Sequence, residues 1–427
     1  MSHTVEIISV GTELLLGNIV NSDAQMLSRK LSELGLNVYY HTVVGDNPGR
    51  LRRAVETARD RADILITTGG LGPTCDDLTK QTLAEVFGKK LVLHPDIADA
   101  LRDWFARRGQ EMTENNLQQA MLPEGCVIFP NDNGTAPGCA FQSQGTHVLM
   151  LPGPPSECAP MFDRQAAPYL AALGEGVISS HTLKIFGMGE SKMESLLREK
   201  MNAMTNPTLA PYAKEGECEL RVTAKAESAE RAESLLAPVV EQLRELLGDV
   251  VYGVDVPNLE TAVLELLKEK GASLGTAESC TGGLIAKRLT DVPGSSQVFR
   301  GAVVSYCNAV KAAVLGVPGP TLEQYGAVSP QVAAAMARGA RETLGCELAL
   351  ASTGVAGPGS DEQGNPAGLV YLSLAAHEGV FVRTITLSGA SRERVRTTAA
   401  HHALDLARRY LSGLPLDSCE FFPSKIS

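Results

Sequence analysis

Apolar positions repeat along the chain with two alternating periods, and the alternation predicts the architecture. Residues 4–10, Thr-Val-Glu-Ile-Ile-Ser-Val, form a β-branched run that stops at Gly11, and a helical pattern follows over residues 22–34. The succession recurs as a strand at 37–44, a helix over 48–61, and an apolar strand at 64–67 that enters a glycine-rich turn and a further helix. Strands alternating with amphipathic helices predict a parallel sheet covered on both faces. A strand at 148–151, ending in Pro152-Gly153-Pro154-Pro155, closes this first unit ahead of one more helix.

Residues 177–252 change character. Strands are predicted at 182–186 and 219–226 and a long helix over 228–247, which together read as a small α+β domain. A Pro257-Asn258 break precedes a capped helix over 259–270, and a new β/α series then runs to about residue 411. Beyond Gly413, two prolines and Phe421-Phe422 mark a docked or loose extension. The expected fold class is therefore α/β: a doubly wound N-terminal domain at 1–172, a small α+β linking domain at 173–254, an α/β domain at 255–413 and a tail at 414–427. Three domains suit a chain of 427 residues, which exceeds the usual size of one hydrophobic core.

Composition narrows the class. Hydrophobic residues make up 44% and charged residues 20%, as in globular proteins rather than disordered or fibrous ones. No apolar run approaches the length needed to span a bilayer, and residues 1–6 lack the basic and apolar regions of an export signal, so a cytoplasmic protein without membrane association is expected. The nine cysteines include no C-x-x-C pair, which predicts free thiols rather than a zinc site or disulfide framework. A formal net charge of -11, with no long basic run, disfavours direct nucleic-acid binding.

Two turns carry candidate chemistry. After the strand at 64–67 comes Thr68-Gly69-Gly70-Leu71-Gly72-Pro73-Thr74-Cys75-Asp76-Asp77-Leu78-Thr79, with a helix starting near Asp77. Glycines beyond a strand's carboxyl end let backbone N–H groups approach a phosphate, and carboxylates there suit a metal bridging diphosphate oxygens. The same residues equally suit a plain turn and a helix cap. Gly69-Gly70-x-Gly72-Pro73, Asp77, Thr79 and Leu151-Pro152-Gly153-Pro154-Pro155 resemble the molybdopterin-binding MoaB/MogA-type fold. Within it, Gly11-Thr12-Glu13-Leu14-Leu15-Leu16-Gly17 and Pro152-Gly153-Pro154-Pro155-Ser156-Glu157 resemble the CinA branch. That resemblance implies hydrolysis of ADP-ribose with a divalent metal, magnesium or a transition metal. It puts Glu13, Asp46, Gly69, Gly70, Gly72, Pro73, Thr74, Asp77 and Gly153 at the ligand, with Asp46 and Asp77 toward the metal. Leu71 stands where molybdopterin enzymes usually carry Thr, which argues against molybdopterin itself.

The second turn, Ala277-Glu278-Ser279-Cys280-Thr281-Gly282-Gly283, follows a strand at 272–276 and opens a helix at 284–289. Three nucleophilic side chains stand together, and unpaired N–H groups at the helix start are placed to receive an oxyanion; a simple N-cap at Ser279 or Thr281 is the alternative. Tyr306 ends the next strand and Lys311 follows one turn into the next helix, so both can share a sheet edge with Ser279. A desolvated lysine loses its proton readily and can then deprotonate serine. Cys280 adjoins the helix start, where a thiol's pKa can fall.

This turn, Tyr306-Cys307-Asn308-Ala309-Val310-Lys311, Gly326-Ala327-Val328-Ser329 and Ser352-Thr353-Gly354-Val355-Ala356-Gly357-Pro358 resemble the C-terminal domain of the CinA family, the nicotinamide mononucleotide (NMN) deamidases. The resemblance implies Ser279 as nucleophile, Tyr306 and Lys311 handling its proton, Gly282, Gly283 and Thr353 in the pocket, and no cofactor. An arginine after Ser388-Gly389 would hold the substrate phosphate, Arg392 in preference to Arg394 or Arg396. Together the resemblances imply a bifunctional hydrolase of pyridine-nucleotide fragments and a homodimer. The alternative is an adaptor in competence or DNA repair that acts through protein partners.

Overall fold

The computed structural model describes residues 3–173, 176–214, 216–416 and 418–424. The chain divides into two compact units, residues 1–180 with 224–235 and residues 181–223 with 236–427.

In the first unit, β1 (Thr4–Val10), β2 (Asn37–Val44) and β3 (Ile64–Thr68) alternate with helices Ser22–Glu33 and Pro48–Arg59. Each helix starts on an asparagine cap: Asn21 Oδ1 accepts from Ala24 N at 3.1 Å, and Asn47 Oδ1 from Arg50 N at 3.0 Å. After the helix Thr79–Val86, β4 (Leu91–Leu93) and β5 (Met121–Pro123) form a separate ribbon. β6 (Val127–Phe129), β7 (Gly138–Ser143) and β8 (Thr146–Leu151) complete the main sheet, in the order β2-β1-β3-β8-β7-β6. The first four strands in that order are parallel, and β7 and β6 add an antiparallel edge. Both faces are covered, as the unbroken apolar strands require. Val5, Ile7, Ile64, Ile66, Leu149 and Leu151 pack on one side, and Ile8, Val10, Leu65, Val148 and Met150 on the other. Because β2 and β3 lie on opposite sides of β1, the chain reverses direction across the sheet at the carboxyl ends of β1 and β3, where such folds bind ligands.

The middle segment contains β9 (Val177–Ile185), β10 (Thr208–Ala213), β11 (Cys218–Ala226) and β12 (Val251–Val254) in the order β10-β11-β9-β12, with helices Glu190–Ala203 and Ala229–Leu247. Sequence patterning misses β10, β12 and the helix Glu190–Ala203. Pro211 is the reason for β10: proline cannot donate to a ladder and argues against an interior strand, and β10 is an edge strand, where proline is tolerated.

The C-terminal sheet runs β14-β13-β15-β16-β17-β18, with β13 (Leu274–Glu278), β14 (Phe299–Val304) and β15 (Leu348–Gly354) parallel. β16 (Leu369–Ala375), β17 (Gly379–Thr386) and β18 (Cys419–Pro423) continue it antiparallel. Helices Leu259–Lys270 and Arg392–Leu411 pack against one face, and the Ala-rich helix Pro330–Leu344 against the other. The extension past Gly413 is docked: β18 pairs with β17, and Arg338 Nη2 donates to the carbonyls of Phe422 and Pro423 at 3.1 and 2.9 Å. Positions 417 and 425–427 of that extension lie outside the described residues. No helix among the described residues is long and apolar enough to cross a membrane.

Candidate functional site

A cavity of about 710 Å³ opens at the carboxyl ends of β1 and β3. Its floor is glycine by necessity. Gly69 and Gly70 have φ of 91° and 68°, and a Cβ would lie 2.3 Å from Val10 O at Gly69 and 2.1 Å from Thr79 Oγ1 at Gly70. Thr79 Oγ1 donates to Gly69 O at 2.8 Å and so ties the turn to the next helix. That helix is Thr79–Val86, beginning two residues later than the sequence pattern indicates.

All nine residues expected at this ligand, Glu13, Asp46, Gly69, Gly70, Gly72, Pro73, Thr74, Asp77 and Gly153, line the cavity. The two aspartates are held alike. Asp46 Oδ2 accepts from Thr12 N and Oγ1 at 2.9 and 2.7 Å, and Asp77 Oδ2 from Thr74 N and Oγ1 at 2.8 and 2.5 Å. One oxygen of each carboxylate is thus anchored, while Oδ1 makes no hydrogen bond among the described residues. Hard oxygens of this kind suit a magnesium-type ion completed by water and phosphate oxygens. No group of three or more His, Cys, Asp or Glu among the described residues forms a ready-made metal cage.

Sequence reasoning missed two further carboxylates in the lining, Asp23 and Glu157. Asp23 occupies a first helical turn, where aspartate is ordinary. The structure buries it, and desolvation raises its carboxyl to about 6. Glu157, in the first turn of the helix Pro155–Met161, accepts from Asn131 Nδ2 at 2.7 Å.

The second site lies where β13 and β14 end. β13 carries Thr276, Ala277 and Glu278 into the turn, and Ser279 N donates to Ser352 O on β15 at 2.9 Å. Lys311, in the helix Asn308–Leu315, is 1% exposed, and its Nζ lies 3.1 Å from Ser279 Oγ and 2.9 Å from Ser305 O. No carboxylate pairs with it among the described residues, and desolvation lowers its pKa. An amine deprived of water and of a counter-charge, in hydrogen-bond reach of a serine hydroxyl, has the arrangement a general base requires.

The expected partners fall into two groups. Tyr306 does not reach Ser279 by a hydrogen bond among the described residues: it is 65% exposed, and its hydroxyl accepts from Arg392 Nη2 at 3.0 Å. Arg392 also donates to Gly357 O at 2.9 Å, so the two side chains form one rim. Arg396 instead donates to Thr281 O at 2.8 Å and braces the turn, while Arg394 is exposed. Thr353 is buried and donates to Ala327 O at 2.6 Å. Gly282 and Gly283 take φ of 62° and 91° within the turn.

Two expectations are corrected here. The amides of Ile285 and Ala286, inside the following helix, are not available to an oxyanion, because the buried Glu278 carboxylate accepts from them at 3.0 and 2.8 Å. It also accepts from Thr281 Oγ1 at 2.7 Å. The Cys280 and Thr281 amides remain, with no acceptor among the described residues. Cys280 is also not an activated thiol: burial pushes it up to about 11, and the Glu278 charge adds to the effect. All nine cysteines are free.

Comparison with known proteins gives matches along the chain. Family models match at residues 6–172 (probable molybdopterin binding domain), 180–253 (damage-inducible protein CinA KH domain) and 257–411 (CinA C-terminal domain). A CinA-like protein of Dictyoglomus turgidum is 49% identical over 96% of this chain and 99% of its own. A putative competence-damage inducible protein of Caldanaerobacter subterraneus subsp. tengcongensis is 47% identical over 96% and 99%. The solved structure of the protein CinA with unknown function from Thermoplasma acidophilum is 30% identical, with a TM-score of 0.37 over 39% of this chain and 98% of that one.

Proposed function

The chain belongs to the CinA family, and from that premise we propose that its C-terminal domain is a serine amidohydrolase converting NMN to nicotinic acid mononucleotide and ammonia. The observation that carries this reading is the buried, carboxylate-free Lys311 amine 3.1 Å from Ser279 Oγ. Ser279 Oγ attacks the carboxamide carbon as its proton passes to neutral Lys311. The amides of Cys280 and Thr281 receive the developing oxyanion. The C–N bond then breaks, ammonia leaves with the proton from Lys311, and water hydrolyses the acyl-enzyme by the same path. Arg392, exposed at the rim, pairs with the substrate phosphate, for which a planar guanidinium is suited.

The test is ammonia release from NMN. Ser279→Ala should lower kcat by roughly 10⁴ to 10⁶, as loss of a serine nucleophile commonly does. A variant within about tenfold of wild type, far short of that loss, would rule out the mechanism. Absence of ammonia release from the wild-type protein would favour the adaptor alternative, which the relatives' competence-damage names suggest.

A second reading concerns the N-terminal domain. Its cavity is lined by six carboxylates, Glu13, Asp23, Asp46, Asp76, Asp77 and Glu157, which would repel a diphosphate unless a cation intervened. A divalent ion held by the free oxygens of Asp46 and Asp77 would neutralise ADP-ribose oxygens and polarise the scissile phosphorus. The glycine turn lets backbone amides approach the same group.

A further inference from the structure

Ser305 follows β14 and is fully buried. Its backbone is fully paired: the amide donates to Glu278 O at 2.8 Å and the carbonyl accepts from Lys311 Nζ at 2.9 Å. Its hydroxyl is not, for Oγ is sealed from solvent and has no hydrogen-bond partner among the described residues. A buried hydroxyl left unpaired is both costly and rare.

The count of donors at Lys311 suggests a use for it. In the neutral amine the lone pair accepts from Ser279 Oγ and one N–H donates to Ser305 O, the two oxygens within reach, which leaves only one weak N–H donor over. An ammonium has three N–H bonds. When it forms, Ser279 Oγ has become bonded to the acyl carbon and accepts poorly, so Ser305 O takes one N–H, the leaving nitrogen takes a second, and the third is left without a partner in a dry site.

We propose that the Ser305 hydroxyl supplies the missing acceptor: by turning about its Cα–Cβ bond it takes an N–H of the Lys311 ammonium, and so acts as a positioning residue for the base. The inference rests on the serine–lysine reading above. No bond to Ser305 forms or breaks; the proton travels from Ser279 Oγ to Lys311 Nζ and later to the leaving ammonia, and Ser305 keeps its own. The titratable groups facing Lys311 are the thiols of Cys280, in the nucleophile turn, and Cys307, at the start of its own helix. Neither replaces the hydroxyl as an acceptor, since burial keeps Cys280 protonated and Cys307 is exposed to water.

The experiment measures sulfonylation of Ser279 by phenylmethanesulfonyl fluoride against pH, by mass spectrometry, in the full-length wild type and in Ser305→Ala. The serine oxygen displaces fluoride and its proton goes to Lys311, so the rate reports the protonation of Lys311 whatever the natural substrate is. Losing an acceptor for the ammonium should move the acid limb of the profile down by about one pH unit or more. The unfolding midpoint of Ser305→Ala should not fall, because the hydroxyl has no partner to lose. An unmoved acid limb, or a lowered unfolding midpoint marking a structural hydroxyl, overturns the inference. A wild-type Ser279 that is never labelled refutes the underlying reading, and this inference with it.

Discussion

At the scale of single residues, Lys311 sets the pH behaviour of the C-terminal site. Its burial disfavours the ammonium and lowers its pKa, so the base form persists to lower pH than in a free lysine. Ammonia release should therefore rise with pH until Lys311 has lost its proton, and fall as pH drops through the same point; a kcat/KM profile that rises on acidification would contradict the assignment. Cys280→Ala should retain ammonia release, since a thiol pushed up to about 11 is no competitor for Ser279 at neutral pH. Activity lost in that variant alone would move the nucleophile one residue along. The Ser279–Lys311 pair is legible in the sequence because strand, turn and helix follow one another regularly enough to put both side chains at one sheet edge. The use of Glu278 is not legible. Its carboxylate caps amides seven and eight residues ahead, which depends on how tightly Gly282 and Gly283 fold the turn back. Asp23 is hidden for a related reason, since its neighbours in sequence do not reveal that the helix start faces a cavity.

At the scale of elements, Glu278 fastens β13 to the helix Leu284–Thr290 across the nucleophile turn. Glu278→Ala should unfold with a stability loss on the order of 2–3 kcal/mol, because a cap is lost and buried amides are left without an acceptor. Denaturant unfolding of the full-length protein measures it, and a loss below about 0.5 kcal/mol, the level of an ordinary surface change, would refute the capping role. Elements with continuous apolar patterns, such as β1, β3 and the helix Leu259–Lys270, are read well from sequence because one periodicity dominates each. β13 is legible but displaced: it runs over Leu274–Glu278, two residues beyond the pattern, since its polar residues Thr276 and Glu278 are buried and paired. β10 is illegible because its proline is tolerated by an edge position that only the assembled sheet defines.

At the scale of the whole molecule, a MoaB/MogA-like domain, a KH-like middle domain and a CinA C-terminal domain follow one another, each with its own matched segment. The two proposed activities use separate residues. Asp77→Asn should abolish metal-dependent ADP-ribose hydrolysis and leave ammonia release from NMN unchanged, as paired assays on one preparation would reveal; full diphosphatase activity in the variant would remove Asp77 from that role. The pairing of β18 with β17 also bears on how the protein is made. β17 leaves the ribosome before the helix Arg392–Leu411, and β18 only after it, so for that interval a nascent C-terminal sheet presents an open row of backbone donors and acceptors. A chain shortened to end at Ser412 would keep that edge open permanently. It should form oligomers or aggregates on overexpression, detectable by light scattering, even though every residue proposed for catalysis is still present.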